Sequence, residues 1–176
     1  MRQDDAILLS DDEGRSVLRF ERLLRHPRER VWRALTEPAD LSSWHPTPFA
    51  FEPAVGGRVR YDAKPGSPEM PAGEVLDFDP PSAFAYTWGE DVLRFELAPE
   101  QGGCLLVLTH TFDDRFKAAR DASGWHLCLR ALAGALDGAP ARAAADDEHL
   151  PNGWTELNSS YEAAFGIPPE LATPPR

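Results

Sequence analysis

GWHLCLRALAGAL, residues 124–136, is the stretch whose reading decides the fold. Trp125, Leu129, Leu132 and Leu136 recur at i, i+4, i+7 and i+11, which puts them on one stripe of an α-helix, with Cys128 and Ala135 beside it. Arg120, Asp121, Arg130 and Asp137 fall on the other side, so the helix is one-faced rather than buried all round. The pattern predicts a helix from about Arg115 to Asp137, stopped by Gly138 and Pro140. Gly124 ahead of Trp125 reads in two ways. It permits a close backbone approach or a local irregularity that turns Trp125 toward a mouth, or it is simply tolerated at a cost of about 1 kcal/mol.

An apolar stripe of this length has to cover something, and the residues before it supply a sheet. VLRFERLLRH (17–26) is rich in branched and aromatic residues and reads as a strand. Two short helical pieces follow: PRERVWRALTEP (27–38), with Val31, Trp32 and Leu35 at helical spacing, and ADLSSW, which delivers Trp44 into the loop HPTPF. FEPAVGGRVRYDA holds a hairpin bent at Gly56-Gly57, and GEVLDFD (73–79) is a strand closed by Pro80-Pro81, with Glu74 either on the side of Leu76 and Phe78 or at a solvated edge position. In SAFAYTWG (82–89) Phe84, Tyr86 and Trp88 alternate with small residues, and in DVLRFEL (91–97) Leu93, Phe95 and Leu97 do the same. CLLVLTHTF (104–112) is apolar on both faces for most of its length, with His110 on the side of Leu106 and Leu108. Short turns between successive strands predict an antiparallel meander, and the segregation of strands from the long helix predicts an α+β fold.

The ends carry less. Residues 1–14 are polar and read as frayed or a short edge element. Segment 141–153 reads as a linker or weak helix, and WTELNSSYEAAFG (154–166) as an amphipathic helix with Trp154, Leu157, Tyr161 and Phe165 on one side, ahead of a proline-rich tail. The expected organisation is one domain over 15–138 and an extension over 139–176 packed on it.

Composition excludes several function classes. The chain has 176 residues, 42% hydrophobic and 27% charged, the profile of an ordinary globular protein, and a formal net charge of −11. That charge argues against nucleic acid or an anionic membrane surface as the main partner. Cys104 and Cys128 lie in apolar runs without a CxxC or cysteine–histidine cluster, so they read as reduced, buried side chains. His26, His45, His126 and His149 show no metal-ligand spacing, and no metal or cofactor is expected. The opening MRQDDAILLSDDEG is too charged for a signal peptide and no run approaches the length of a membrane span, so a cytoplasmic location and no membrane insertion are expected. Without a secretory signal the sequon at Asn158-Ser159-Ser160 carries no weight. There is no G-x-S-x-G elbow, phosphate loop or dinucleotide fingerprint.

Five pieces in order carry a resemblance: PRERVWRALTEPADLSSW, FEPAVGGRVRY, GEVLDFDPPSAFAYTW, CLLVLTHTF and GWHLCLRALAGALDG. Over roughly residues 17–138 the chain resembles the SRPBCC superfamily of START-like, helix-grip proteins, and within it the family similar to the activator of the heat shock protein 90 ATPase. The resemblance implies a curved antiparallel sheet of six or seven strands wrapped round the long C-terminal helix, with two short helices after the first strand and an extra C-terminal helix. It also implies a hydrophobic tunnel that holds a lipid, polyketide or other apolar small molecule. The companion domain that grips the chaperone has no counterpart here, so the family's name is not carried over as function.

The leading expectation is therefore a non-catalytic binder of an apolar or amphipathic small molecule, in a cavity lined by Trp44, Phe49, Tyr61, Trp88, Phe95, His110, Trp125 and Leu129. Two alternatives stay open. One is a cyclase- or hydrolase-type enzyme using His110 with Glu74 or a tyrosine as acid and base. The other is a co-chaperone-like module or homodimer, with Trp154, Tyr161 and Phe165 as its adhesive face.

Overall fold

The computed structural model describes residues 5–62, 70–139 and 153–172. Its centre is one eight-stranded sheet, antiparallel at every pairing, in the order β1-β2-β8-β7-β6-β5-β4-β3. The strands are β1 (Ile7–Ser10), β2 (Ser16–Leu24), β3 (Phe49–Phe51), β4 (Arg58–Tyr61), β5 (Gly73–Asp79), β6 (Ala83–Trp88), β7 (Asp91–Glu100) and β8 (Gly103–Phe112). Helices α1 (Arg28–Thr36) and α2 (Pro38–Leu41) carry the chain from β2 to the far edge at β3, and the meander β3 to β8 brings it back beside β2. A 3₁₀ turn at Arg115–Lys117 then leads into the long helix α3 (Ala118–Leu136), and α4 (Trp154–Phe165) packs against α3.

Alternation builds the inner face as read from the sequence. Phe84 and Tyr86 on β6, Leu93, Phe95 and Leu97 on β7, and Leu106, Leu108, His110 and Phe112 on β8 are all buried. Across them lies the stripe of α3, with Trp125, Leu129, Leu132 and Leu136 buried. The fold is thus α+β with a helix-grip arrangement.

Three expectations change, and one open reading closes. The strand count is eight rather than six or seven, because the polar N-terminus contributes β1, paired from Ile7↔Arg19 to Ser10↔Ser16. Glu74, Leu76 and Phe78 do not share a face, because β5 carries an irregularity between Val75 and Asp77. The extra residue turns Val75 and Phe78 inward and leaves Glu74 and Leu76 exposed. The helix is not one-faced: Leu127 is buried too, and α4 covers the side away from the sheet. Gly124, finally, serves no close approach, since a Cβ there would meet no described atom within 4 Å, and α3 runs through it unbroken.

On α4, Trp154, Tyr161 and Phe165 are buried, and Tyr161 and Phe165 belong to the same core as the sheet. The adhesive face expected for an interaction module is therefore turned inward. The segment 141–152 and His149 lie outside the described residues.

Candidate functional site

Between the inner face of the sheet and α3, aromatic rings from the sheet, the helix and the segment after α2 meet. Trp44 and His45 follow α2; Phe49 comes from β3, Tyr61 from β4, Tyr86 and Trp88 from β6, Phe95 from β7 and Trp125 from α3. Seven of the eight residues read from the sequence join this cluster through ring contacts. Trp44 lies 6.1 Å from Phe95, Phe49 lies 6.1 Å from Tyr61, and Trp88 lies 5.8 Å from His110 and 5.6 Å from Trp125, centroid to centroid. Leu129, the eighth, is buried one helical turn from Trp125. Trp88 and Tyr61 are half-buried, and the other members are buried, so these two mark the end of the cluster nearest to solvent.

Two residues at the centre were not among those assigned to the lining. The His45 ring lies 5.1 Å from Phe49 and 5.6 Å from Trp125. Its Nδ1 is 2.7 Å from the Thr47 carbonyl oxygen and its Nε2 is 3.0 Å from the Tyr86 hydroxyl. Nδ1 at that distance from a carbonyl carries the proton and donates, so Nε2 accepts from the Tyr86 O–H. Burial pushes the His45 pKa down to about 3, against a smaller upward pull from the Thr47 carbonyl, so the ring is neutral. Burial also holds the Tyr86 and Tyr61 hydroxyls protonated, well above the usual phenol range. The Tyr61 hydroxyl donates to the Thr87 carbonyl, over a backbone kept close by Gly73.

His110 is fully buried and sits in a relay. Trp125 Nε1 donates to His110 Nδ1 at 3.1 Å, which assigns the ring proton to Nε2, and Nε2 donates to Asp91 Oδ2 at 2.9 Å. Lys117 Nζ lies 2.5 Å from the same oxygen and 3.8 Å from Asp121, which in turn holds Arg120 at 2.7 Å. Burial raises the Asp91 carboxyl pKa, but hydrogen bonds and charge from His110 and Lys117 outweigh it and hold the group below its usual range.

The ligand atoms of Asp91, His110 and Asp121 lie within 4.8 Å of one another, a spacing that invites comparison with a metal centre. The Lys117 ammonium bridges the two carboxylates and supplies the positive charge such a group calls for.

The histidine–carboxylate pair is thus His110 with Asp91, not with Glu74. Glu74 is exposed on the outer side of β5, where its backbone N–H bonds to Thr87 Oγ1. Both His110 nitrogens are occupied by protein groups, and no hydroxyl or thiol nucleophile is bonded to either among the described residues. The pairing of His110 with Glu74 posited for an enzyme does not form. His126 lies outside this cluster, against Tyr161 of α4, and His26 pairs with Asp137.

One polar atom in the cluster lacks a partner. Among the described residues Trp88 Nε1 is buried without a hydrogen-bond partner, beside the rings of His45, His110 and Trp125. An unpaired buried donor costs about 1–3 kcal/mol relative to a paired one. The opposite face of the sheet carries an open cleft of about 480 Å³ lined by residues including Asp77, Ser82, Arg94 and Glu96. There Arg94 is held by Asp77 at 2.8 Å and Glu96 at 3.4 Å.

Among solved structures, the chain resembles CalU16 from Micromonospora echinospora, with a TM-score of 0.71, 18% identity and 92% and 97% of the two chains covered. A conserved protein of unknown function from Enterococcus faecalis, EF2215, gives a TM-score of 0.70 at 19% identity over 96% and 92% of the chains. The product of gene BPP1335 of Bordetella parapertussis gives 0.64 at 27% identity over 83% and 84%. No curated protein matches. The sequence of residues 25–137, from the end of β2 to the end of α3, matches the family described as "Activator of Hsp90 ATPase homolog 1-like protein". These residues carry β3 to β8 of the sheet and the long helix packed against it, and the chain belongs to that family.

Proposed function

We propose that the protein binds an apolar or amphipathic small molecule between the sheet and α3, at the end of the aromatic cluster marked by Tyr61 and Trp88, without catalysis. The observation that supports this reading is the buried Trp88 N–H, a donor set among aromatic rings with no acceptor among the described residues. A guest that meets it relieves an existing cost, while each Å² of apolar surface it buries adds about 25 cal/mol. The rings of the cluster touch one another, so a guest gains access by turning aside a half-buried ring, and Trp88 and Tyr61 are the ones at the margin. An acidic surface and buried α4 rings make a nucleic acid or a second chain on that helix poorer partners.

Native mass spectrometry of freshly purified protein tests the reading. The expected result is a mass excess of one small molecule that denaturation removes, together with a higher melting temperature when an apolar library compound binds. Trp125→Ala should lower that affinity at least as much as it lowers stability. Protein of bare mass that no apolar compound stabilises would overturn the proposal.

A further inference from the structure

The same site carries a statement about what the guest must be, which rests on the reading of small-molecule binding. We infer that the guest is a neutral molecule with a hydrogen-bond acceptor, of the ketone, ester, quinone or ether kind, and that Trp88 Nε1–H is its anchor. The hydrogen-bonding inventory of the cluster leads there. Trp44 Nε1 donates to the Ala34 carbonyl at 2.8 Å, and Trp125 Nε1 to His110 at 3.1 Å. Both nitrogens of His45 and of His110 are engaged, and the hydroxyls of Tyr86 and Tyr61 are bonded to His45 and Thr87. One donor is left over, and it is Trp88 Nε1.

Charge narrows the class further. A carboxylate guest would accept from Trp88 but would need a cation, and the ammonium beside the cluster, Lys117, is already shared by Asp91 and Asp121. An amine or alcohol would bring a donor of its own. The carboxylate beside the cluster, Asp91, already receives both His110 and Lys117 on Oδ2. His45 stays neutral and both its nitrogens are committed. A donor on the guest would have to share lone pairs of groups already bound within the wall, Asp91 and the tyrosine hydroxyls, whereas an acceptor meets the unpaired Trp88 N–H directly. The site complements one acceptor on an apolar body.

A matched probe series reads this out: 2-acetylnaphthalene, 2-ethylnaphthalene and 2-naphthoate, titrated against ¹⁵N-labelled protein with the indole N–H signals followed by NMR. The ketone should bind about 10-fold more tightly than the hydrocarbon, the worth of one buried hydrogen bond. The naphthoate should bind more weakly than the ketone. The Trp88 indole signal, assigned by its loss in Trp88→Phe, should move downfield with the ketone and not with the hydrocarbon. In Trp88→Phe the ketone should lose its advantage while the hydrocarbon still binds.

Equal affinity of ketone and hydrocarbon for the natural protein, or a ketone advantage that survives in Trp88→Phe, overturns the inference and leaves small-molecule binding standing. If the naphthoate binds best, the guest is anionic and the inference falls likewise. Failure of every probe to shift any indole signal or the melting temperature counts against the binding function itself. Should Trp88→Phe not fold, the shift of the indole signals in the natural protein and the ketone-to-hydrocarbon ratio still decide the matter.

Discussion

At His45 the demands of the interior fall on a single side chain. Its ring is neutral in the fold, with the pKa pushed from 6.5 to about 3, because burial strips the water that a charged imidazole needs. On unfolding the ring regains its ordinary value, so below pH 6.5 the unfolded chain binds the extra proton. The contribution to stability is intact above that value and falls by about 1.4 kcal/mol per pH unit as the pH drops toward the folded value. Asp91 acts in the same direction but lower: its depressed pKa gives stability that is complete above 3.8 and is lost as pH falls through the folded value. Urea unfolding between pH 7 and pH 4 should therefore show a steep loss in the natural protein. His45→Gln keeps an acceptor for Tyr86 and a donor for Thr47, and should flatten that slope; parallel curves would mean that the ring is not held neutral. His110 was legible from the sequence because strand alternation put it with Leu106 and Leu108. His45 was not, because it stands in a proline-flanked loop without a period, and only the packing of α2 against the sheet brings it inside.

Elements show the same division. The stripe of α3 and the alternation of β6, β7 and β8 were readable because each side chain's face follows from its place in a regular repeat. The irregularity in β5 was not, since one inserted residue leaves composition unchanged while reversing every later side chain, and so Phe78 turns inward while Leu76 stays outside, with Glu74 in the solvated position that was one of its two readings. The pairing of Asp91 with His110 had a usable signal. A two-residue turn at Gln101-Gly102 sets β7 against β8 with Leu93 opposite His110, so Asp91, two residues before Leu93, lies diagonally across from His110 on the same face. Glycines separate function from tolerance in the same way. A Cβ at Gly73 would stand 2.4 Å from the Thr87 carbonyl oxygen and 2.8 Å from the Tyr61 hydroxyl, whereas at Gly124 it would meet nothing described within 4 Å. Gly124→Ala should raise stability by about 0.5–1 kcal/mol through helix propensity and a less flexible unfolded chain. Gly73→Ala should lower it by about 1–3 kcal/mol, because the backbone of β6 has to shift. Calorimetric melts of the two variants check both signs, and destabilisation by Gly124→Ala would mean that the glycine has a packing role after all.

For the whole molecule, the question is what joins the gripped domain to the helix that follows it. The family match ends at residue 137, yet α4 contributes Tyr161 and Phe165 to the common core, so the extension is part of the folded unit. Three ties hold it. The Ala6 N–H donates to the Tyr161 hydroxyl at 3.1 Å, and that hydroxyl is also hydrogen-bonded to His126 Nδ1 at 2.8 Å. From the turn before α3, Arg115 Nη2 donates to the Phe165 carbonyl at 2.8 Å, where α4 ends at Gly166 in the left-handed conformation. Tyr161 therefore links the first strand, the long helix and the last helix through one oxygen. Tyr161→Phe keeps the ring, which stacks on Phe165 at 5.3 Å, and removes only that oxygen. It leaves the buried Ala6 N–H without its acceptor, at a cost of about 1–3 kcal/mol. The loss should be spatially selective. Hydrogen exchange should speed up at Ala6 and along β1 while the central strands β6 to β8 keep their protection, because β1 is an edge strand paired to β2 alone. Uniform loss of protection across the sheet would instead mean that the hydroxyl supports the core directly. Unchanged exchange at Ala6 would mean that α4 is held by its apolar face, with the three ties incidental to it.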